Sequence, residues 1–214
     1  LPTRDACDGL DNDCDGETDE RFPPWSDGFE SGDFRAWSRT AGSVHVVHDP
    51  VWNGASAARL VDQYAIRLGD EDEASIVRMF DACMRDVRVT ATIYIAGWTI
   101  GRCKGLNFGF VWGDAGGGLV QVTEQSTGLY IGRSHVEMDI PFTPTPNLAF
   151  RTWYTFDLTR TGTTVEFAIN GTPQVAVSDE TGEALGIRIG VIAGCVDGAY
   201  IDVVVDDVAM MPLE

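Results

Sequence analysis

No stretch of this chain carries a long, capped helical pattern. Instead, short runs with a period of two recur from about residue 27 onward, separated by turn residues. That rhythm leaves few folds open, because each alternating strand has one apolar face that must be buried by stacking two sheets or closing one. The pattern predicts strands over 43–48, 57–61, 75–80, 87–96, 106–112, 119–123, 129–133, 153–161, 163–169, 173–177, 188–193 and 200–210. Asn53-Gly54, Gly116-Gly117-Gly118, Thr161-Gly162 and Asn170-Gly171 punctuate them. Over 163–169, Val165, Phe167 and Ile169 fall on one face and Thr164, Glu166 and Ala168 on the other, and Asn170-Gly171 then closes a hairpin. Near the end, Ile201, Val203 and Val205 alternate with Asp202, Val204 and Asp206. The expected fold class is all-β, an antiparallel β-sandwich of jelly-roll type.

The chain has 214 residues, 44% of them hydrophobic, which suits one sandwich (23–214) and a small appendage (1–22) joined by the Pro23-Pro24 connector. The appendage is acidic: residues 1–20 hold Asp5, Asp8, Asp11, Asp13, Asp15, Glu17, Asp19 and Glu20 against Arg4 alone. The formal net charge is -18, from 33 acids and 15 bases. That balance argues against a nucleic-acid partner and for hard cations. No apolar run reaches the roughly 18–20 residues that span a bilayer. The chain starts at Leu1 and lacks a signal-like apolar segment, so we read it as a mature form or a fragment of a longer protein. Of the cysteines, Cys7 and Cys14 flank the acidic cluster and would clip it as a disulfide, while the pairing of Cys83, Cys103 and Cys195 stays open. Disulfides would imply an oxidising compartment, hence a secreted or cell-surface protein.

The acidic stretch reads Cys7-Asp8-Gly9-Leu10-Asp11-Asn12-Asp13-Cys14-Asp15-Gly16-Glu17-Thr18-Asp19-Glu20. Acids at alternate positions converge on one point as a loop curls, Gly16 permits the sharp turn, and the Glu17 carbonyl completes a ring of oxygens for calcium. Asp11, Asp13, Asp15, Glu17 and Asp19 match positions 1, 3, 5, 7 and 9 of an EF-hand-type loop, but position 12 is Phe22. The remaining ligand must therefore come from Asp19, Glu20 or Asp8. The stretch resembles a MopE-type metal-binding repeat, C-D-G-x-D-N-D-C-D-G-x-x-D-E, found in secreted bacterial proteins, and is similar to thrombospondin type 3 calcium repeats. The copper associated with the first of these does not carry over, because a carboxylate loop without His is a hard-oxygen site. The cofactor expected is calcium.

In the sandwich, Phe29-Glu30-Ser31-Gly32-Asp33 with Trp37, the run 152–171, and Tyr200-Ile201-Asp202-Val203-Val204-Val205-Asp206-Asp207-Val208 together resemble a concanavalin A-like lectin/glucanase domain. Galactose-binding-type jelly-roll modules open and close similarly. The resemblance implies a glycan-binding concave face and a second calcium site where Glu30 meets Asp206 or Asp207.

Glycoside hydrolysis needs two carboxylates facing each other across a sugar. No strand carries an E-x-D-x-E pattern, and the acidic run 70–73 reads as a solvated loop. His45 and His48 point to opposite faces of a strand, and no G-x-S-x-G is present. Whether the chain is an enzyme stays open, with no catalytic constellation found. The function expected is a calcium-binding, lectin-like module that binds a polysaccharide or cell-surface glycan through Tyr94, Trp98, Asn107, Trp112, Gln121 and Tyr130, with Trp37 and Trp153 in the core. The alternatives are a structural or adhesive surface protein and, further off, a polysaccharide-degrading enzyme.

Overall fold

The computed structural model describes residues 10, 11, 14, 16, 23–63, 73–80, 84, 86–98, 104–111, 119–122, 127–130, 148–178, 184–193 and 198–213. Strands 119–122 and 127–130 are described as backbone alone. Among the described residues the chain is β throughout: β1 (Trp25–Asp27), β2 (Arg39–Ala41), β3 (Ser43–Val47), β4 (Ala57–Gln63), β5 (Ala74–Met79), β6 (Val87–Trp98), β7 (Lys104–Val111), β8 (Leu119–Val122), β9 (Thr127–Tyr130), β10 (Trp153–Thr161), β11 (Thr164–Ile169), β12 (Thr172–Ser178), β13 (Gly186–Ala193) and β14 (Tyr200–Pro212). Every strand expected from the alternation is present. The short β1 and β2 were not anticipated.

The strands form two antiparallel sheets. One runs β12-β11-β10-β6-β14-β4-β3, with β1 added alongside β14; the other runs β2-β5-β13-β7-β8-β9. This is the jelly-roll sandwich that the alternation requires. The inner faces meet through Phe108 of β7, which lies 5.9 Å from Phe156 of β10 and 6.5 Å from Phe167 of β11, with Phe156 and Phe167 5.3 Å apart. All three rings are buried. Each such ring contributes about 1.5–3 kcal/mol by leaving water.

The opening motif closes one end of this core. Asp27 accepts hydrogen bonds from Phe29 N (2.8 Å) and from Trp37 Nε1 (2.8 Å), and Phe29 stacks on Trp37 at 5.9 Å. Trp37 is a core residue, as expected. β1 then pairs with the last strand, Trp25 opposite Met210 and Asp27 opposite Val208. The Asn170-Gly171 hairpin forms with both residues at positive φ (49° and 74°), the geometry that favours Asn-Gly. On β14, Ile201, Val203 and Val205 face the core while Asp202, Val204 and Asp206 lie on the sheet's other face, where they are also buried. Asp202 binds the Arg59 guanidinium through Nε (2.9 Å) and Nη2 (2.5 Å) and accepts from Tyr200 Oη at 2.7 Å.

Candidate functional site

Strand register lays out the outer face of the six-stranded sheet row by row. One row runs Arg39 (β2), Val77 (β5), Arg188 (β13), Gly109 (β7), Leu119 (β8) and Tyr130 (β9). The adjacent row on that face runs Ala41, Ser75, Gly190, Asn107, Gln121 and Gly128. Three of the expected glycan-contacting positions, Asn107, Gln121 and Tyr130, therefore share one face. β13 alternates Gly186, Arg188, Gly190 there, and β7 alternates Gly105, Asn107, Gly109. Two neighbouring strands thus place one polar side chain between glycines, and on β13 neighbouring atoms take up the space the glycines leave: the Glu73 carboxylate over Gly190 and the Arg78 carbonyl at Gly186.

This face is shielded from solvent. In a two-layer sandwich the outer face is usually wet, yet Ser75 is 3% exposed, Val77 1%, Asn107 8% and Val111 5%. Arg188 is paired with Glu73, whose carboxylate accepts from Arg188 Nη2. The Arg188 Nε is buried with no hydrogen-bond partner. Glu73 reaches Arg188 by lying over Gly190, where any Cβ would collide with it. Glu73 is therefore not part of a solvated loop, a correction to the reading of 70–73; residues 70–72 lie outside the described residues.

The other expected contact residues separate. Tyr94 lies on the outer face of the opposite sheet, where it meets Trp153 at 5.2 Å, and Trp153 meets the exposed Trp52 at 5.8 Å. Trp153 is thus a half-buried outer-face residue and not core. Trp98 belongs to the core cluster, where it is 9% exposed. An irregularity in the β6–β14 ladder explains the difference: Val203 pairs with Ile95 but Asp202 with Gly97, and the extra residue turns Trp98 inward. Trp112 lies outside the described residues.

In the acidic appendage, Gly16 N donates to Asp11 Oδ2 at 3.0 Å, with Gly16 at φ 101°. The expected first and sixth loop positions are therefore drawn together, and the backbone uses the conformation that glycine allows. Asp13, Asp15, Glu17, Asp19 and Glu20 lie outside the described residues. Cys14 is exposed with a free thiol, so the expected disulfide to Cys7 is not made in this structure; Cys7 itself lies outside the described residues.

Glu30 and Asp206 meet on the loop 52–56. Asp206 Oδ2 accepts from Trp52 N (2.9 Å) and Asn53 N (3.1 Å), and its Oδ1 accepts from Asp207 N at 2.7 Å. Glu30 Oε1 accepts from Ala55 N and Ser56 N, both at 2.9 Å. Gly54, at φ 75°, lets the loop wrap the Glu30 carboxylate. Burial holds the Asp206 carboxyl above its usual range, opposed by the three N–H donors and assisted by the Asp207 charge. Among the described residues no three His, Cys, Asp or Glu gather as a metal-ligand group. His45 bonds Ser43 Oγ, and His48 bonds the Ala55 carbonyl.

No family model matches the sequence, and no curated protein is similar to it in sequence. The fold has clear relatives among solved structures. An endo-β-1,4-glucuronan lyase from the fungus Trichoderma reesei superposes with a TM-score of 0.69 at 12% identity, over 88% of this chain and 95% of the lyase. The cellulose-induced protein Cip1 gives 0.63 at 17% identity, over 87% and 96%. A Bacteroides ovatus mixed-linkage-glucan GH16 protein, solved with its product, gives 0.60 at 13% identity, over 87% and 99%. The chain is a jelly-roll β-sandwich, and its structural neighbours include carbohydrate-active proteins.

Proposed function

We propose that this protein is a non-catalytic carbohydrate-binding module whose ligand lies on the outer face of the six-stranded sheet, with Asn107 and Arg188 as its described polar contacts and positions 121 and 130 alongside. The observation that carries the reading is the placement of Asn107, Arg188 and positions 121 and 130 in two adjacent rows of one sheet face, which brings polar side chains together on a single surface. The neighbours support it, since they include a glucuronan lyase and a glucan-directed protein. The reading as non-catalytic rests on the sequence, in which no strand carries an E-x-D-x-E pattern.

The acidic loop is read as a calcium site held by Asp11, Asp13, Asp15, Glu17, Asp19 and Glu20, as the Asp11–Gly16 closure supports. Glu30 and Asp206 would serve a second calcium ion only with backbone carbonyls as the remaining ligands. The same reading makes the protein secreted or displayed on a cell surface. The test is binding of the purified chain to a broad polysaccharide panel, alongside Asn107→Ala. Binding that Asn107→Ala weakens supports the reading; failure on every class by the folded protein defeats it.

A further inference from the structure

Independently of the surface proposed above, we infer that the outer face of the eight-stranded sheet carries a second glycan site. It is a track along β6 and β10 that takes a linear, neutral polysaccharide, stacked on Trp52 at one end and held in a cleft against β11 and β12 at the other.

Strand register sets the track. The side chains of β6 and β10 that point away from the core pair as Tyr94 with Trp153, Thr92 with Thr155, Thr90 with Asp157, and Arg88 with Thr159. The residues between them, Val89, Ala91, Ile93, Phe156 and Leu158, belong to the core. First and last pairs are six residues apart on each strand. That is roughly 20 Å at about 3.4 Å per residue, enough for several linked sugar rings.

One end is aromatic. Trp52 is 54% exposed and lies 5.8 Å from Trp153, which lies 5.2 Å from Tyr94. The rings are tilted to one another by 56° and 49°, so they make a stepped surface and not a closed stack. The loop that carries Trp52 is firmly held. Asp206 accepts from the N–H groups of Trp52 and Asn53, and Glu30 from those of Ala55 and Ser56. A fixed loop that keeps an indole in water forgoes about 1.5–3 kcal/mol of apolar burial. The C–H face of a sugar ring laid on the indole would recover part of it.

The other end is a cleft of about 590 Å³, a volume usual for small-ligand sites. A bulge shapes its far side: Phe167 pairs with Val175 but Ala168 with Pro173, so Gln174 is the extra residue of β12. Arg88, Asp157, Thr159, Glu166 and Gln174 supply its polar lining. Arg88 Nε donates to Asp157 Oδ2 at 2.8 Å, and Thr159 Oγ1 to Asp157 Oδ1 at 3.3 Å. The guanidinium is thus already neutralised, and Glu166 adds a negative charge. Such a lining repels polyanions and offers donors and acceptors to hydroxyl groups. Between the two ends Thr155 is exposed. A protein partner would need an apolar centre with a polar rim, whereas here the centre is threonine.

The test titrates the full chain with a soluble β-glucan, a xylan, a galactomannan and polygalacturonate, reading affinity and acrylamide quenching of tryptophan fluorescence. At least one neutral polymer should bind and protect Trp52 from quenching. Trp52→Ala should weaken that binding at least about tenfold. Thr155→Ala and Gln174→Ala should each weaken it several-fold. Affinity should also climb from the disaccharide to the tetrasaccharide of the polymer that binds, a readout that needs no variant. Wild-type affinity in Trp52→Ala and Thr155→Ala, with loss in Asn107→Ala, would overturn the track and leave the six-stranded face as the site. Loss in the first two with none in Asn107→Ala would support the track and defeat the other surface. Tighter binding of polygalacturonate than of every neutral polymer would overturn the neutral assignment. No binding to any of the four by the folded wild-type chain would defeat both sites.

Discussion

Glu73 lies over Gly190: its carboxylate fills the space that a side chain at 190 would need, and Ser75 Cβ stands 2.9 Å from the same point. An alanine there must push the Glu73 carboxylate off its route to Arg188 and also displace Ser75 Cβ, which is fixed to the backbone of the next strand. Gly190→Ala should destabilise by about 3 kcal/mol, because it separates a mostly buried ion pair and crowds β5. Urea midpoints of the wild type and the variant check this. An unchanged midpoint would contradict it.

Gly54 offers a contrast within one fold. It has φ 75°, and a Cβ would collide with the Glu30 carboxylate that anchors Ala55 and Ser56. Gly54→Ala should destabilise by about 2–3 kcal/mol, combining left-handed strain with a broken anchor. Gly162, at φ 58° with open space around it, carries the conformational strain alone. Gly162→Ala should cost about 1 kcal/mol. Paired denaturation curves separate the two contributions.

Asp206 gives stability an unusual dependence on pH. Its folded-state pKa is raised by burial above the ordinary carboxylate value, so the native chain holds this proton more tightly than the unfolded chain does. For this group alone, stability is greatest below the unfolded value, falls as pH rises toward the raised value, and is flat beyond it. Asp206→Asn should remove that slope, seen as a smaller difference in urea midpoint between pH 4 and pH 7 than in the wild type. Calcium bound at this carboxylate would favour the ionised form and reverse the sign. Repeating the titration with calcium therefore tests the second metal site as well.

The acidic loop lies outside the sandwich sequence, which fixes what its loss should do. Asp13→Ala and Asp11→Ala should each weaken calcium binding by at least about tenfold. Neither should move the midpoint of sandwich unfolding measured without calcium. Calorimetric titration and circular dichroism read the two quantities. Wild-type affinity in both variants would remove the loop assignment.

The strands were legible because each carries its own alternation, and a period of two is a local property. β1 and β2 were not, because three residues cannot show a period; their pairing with β14 and β5 defines them. The face assignments were harder. Tyr94 and Asn107 look alike in sequence, each on an alternating strand, but they lie on different sheets. Trp98 followed the outward phase of β6 until one extra residue reversed it. The Glu73–Arg188 pair joins residues 115 apart, and no local pattern announces it. A signal was present all the same. Gly186-Ile187-Arg188-Ile189-Gly190 and Gly105-Leu106-Asn107-Phe108-Gly109 share one alternation, and such a match between strands points to adjacency on one face.

The pairing of β1 with β14 has a mechanical consequence. Trp25 faces Met210 and Asp27 faces Val208, so the chain enters β1 and leaves β14 on the same side of their short ladder. Tension between the acidic loop and the last residues would load these backbone bonds one after another, as in opening a zip, and not all at once as in shear. β1 would peel first at low force, while β14 stays locked between β6 and β4. A sandwich pulled by its ends would thus lengthen by a few residues and shed load before its binding face deformed.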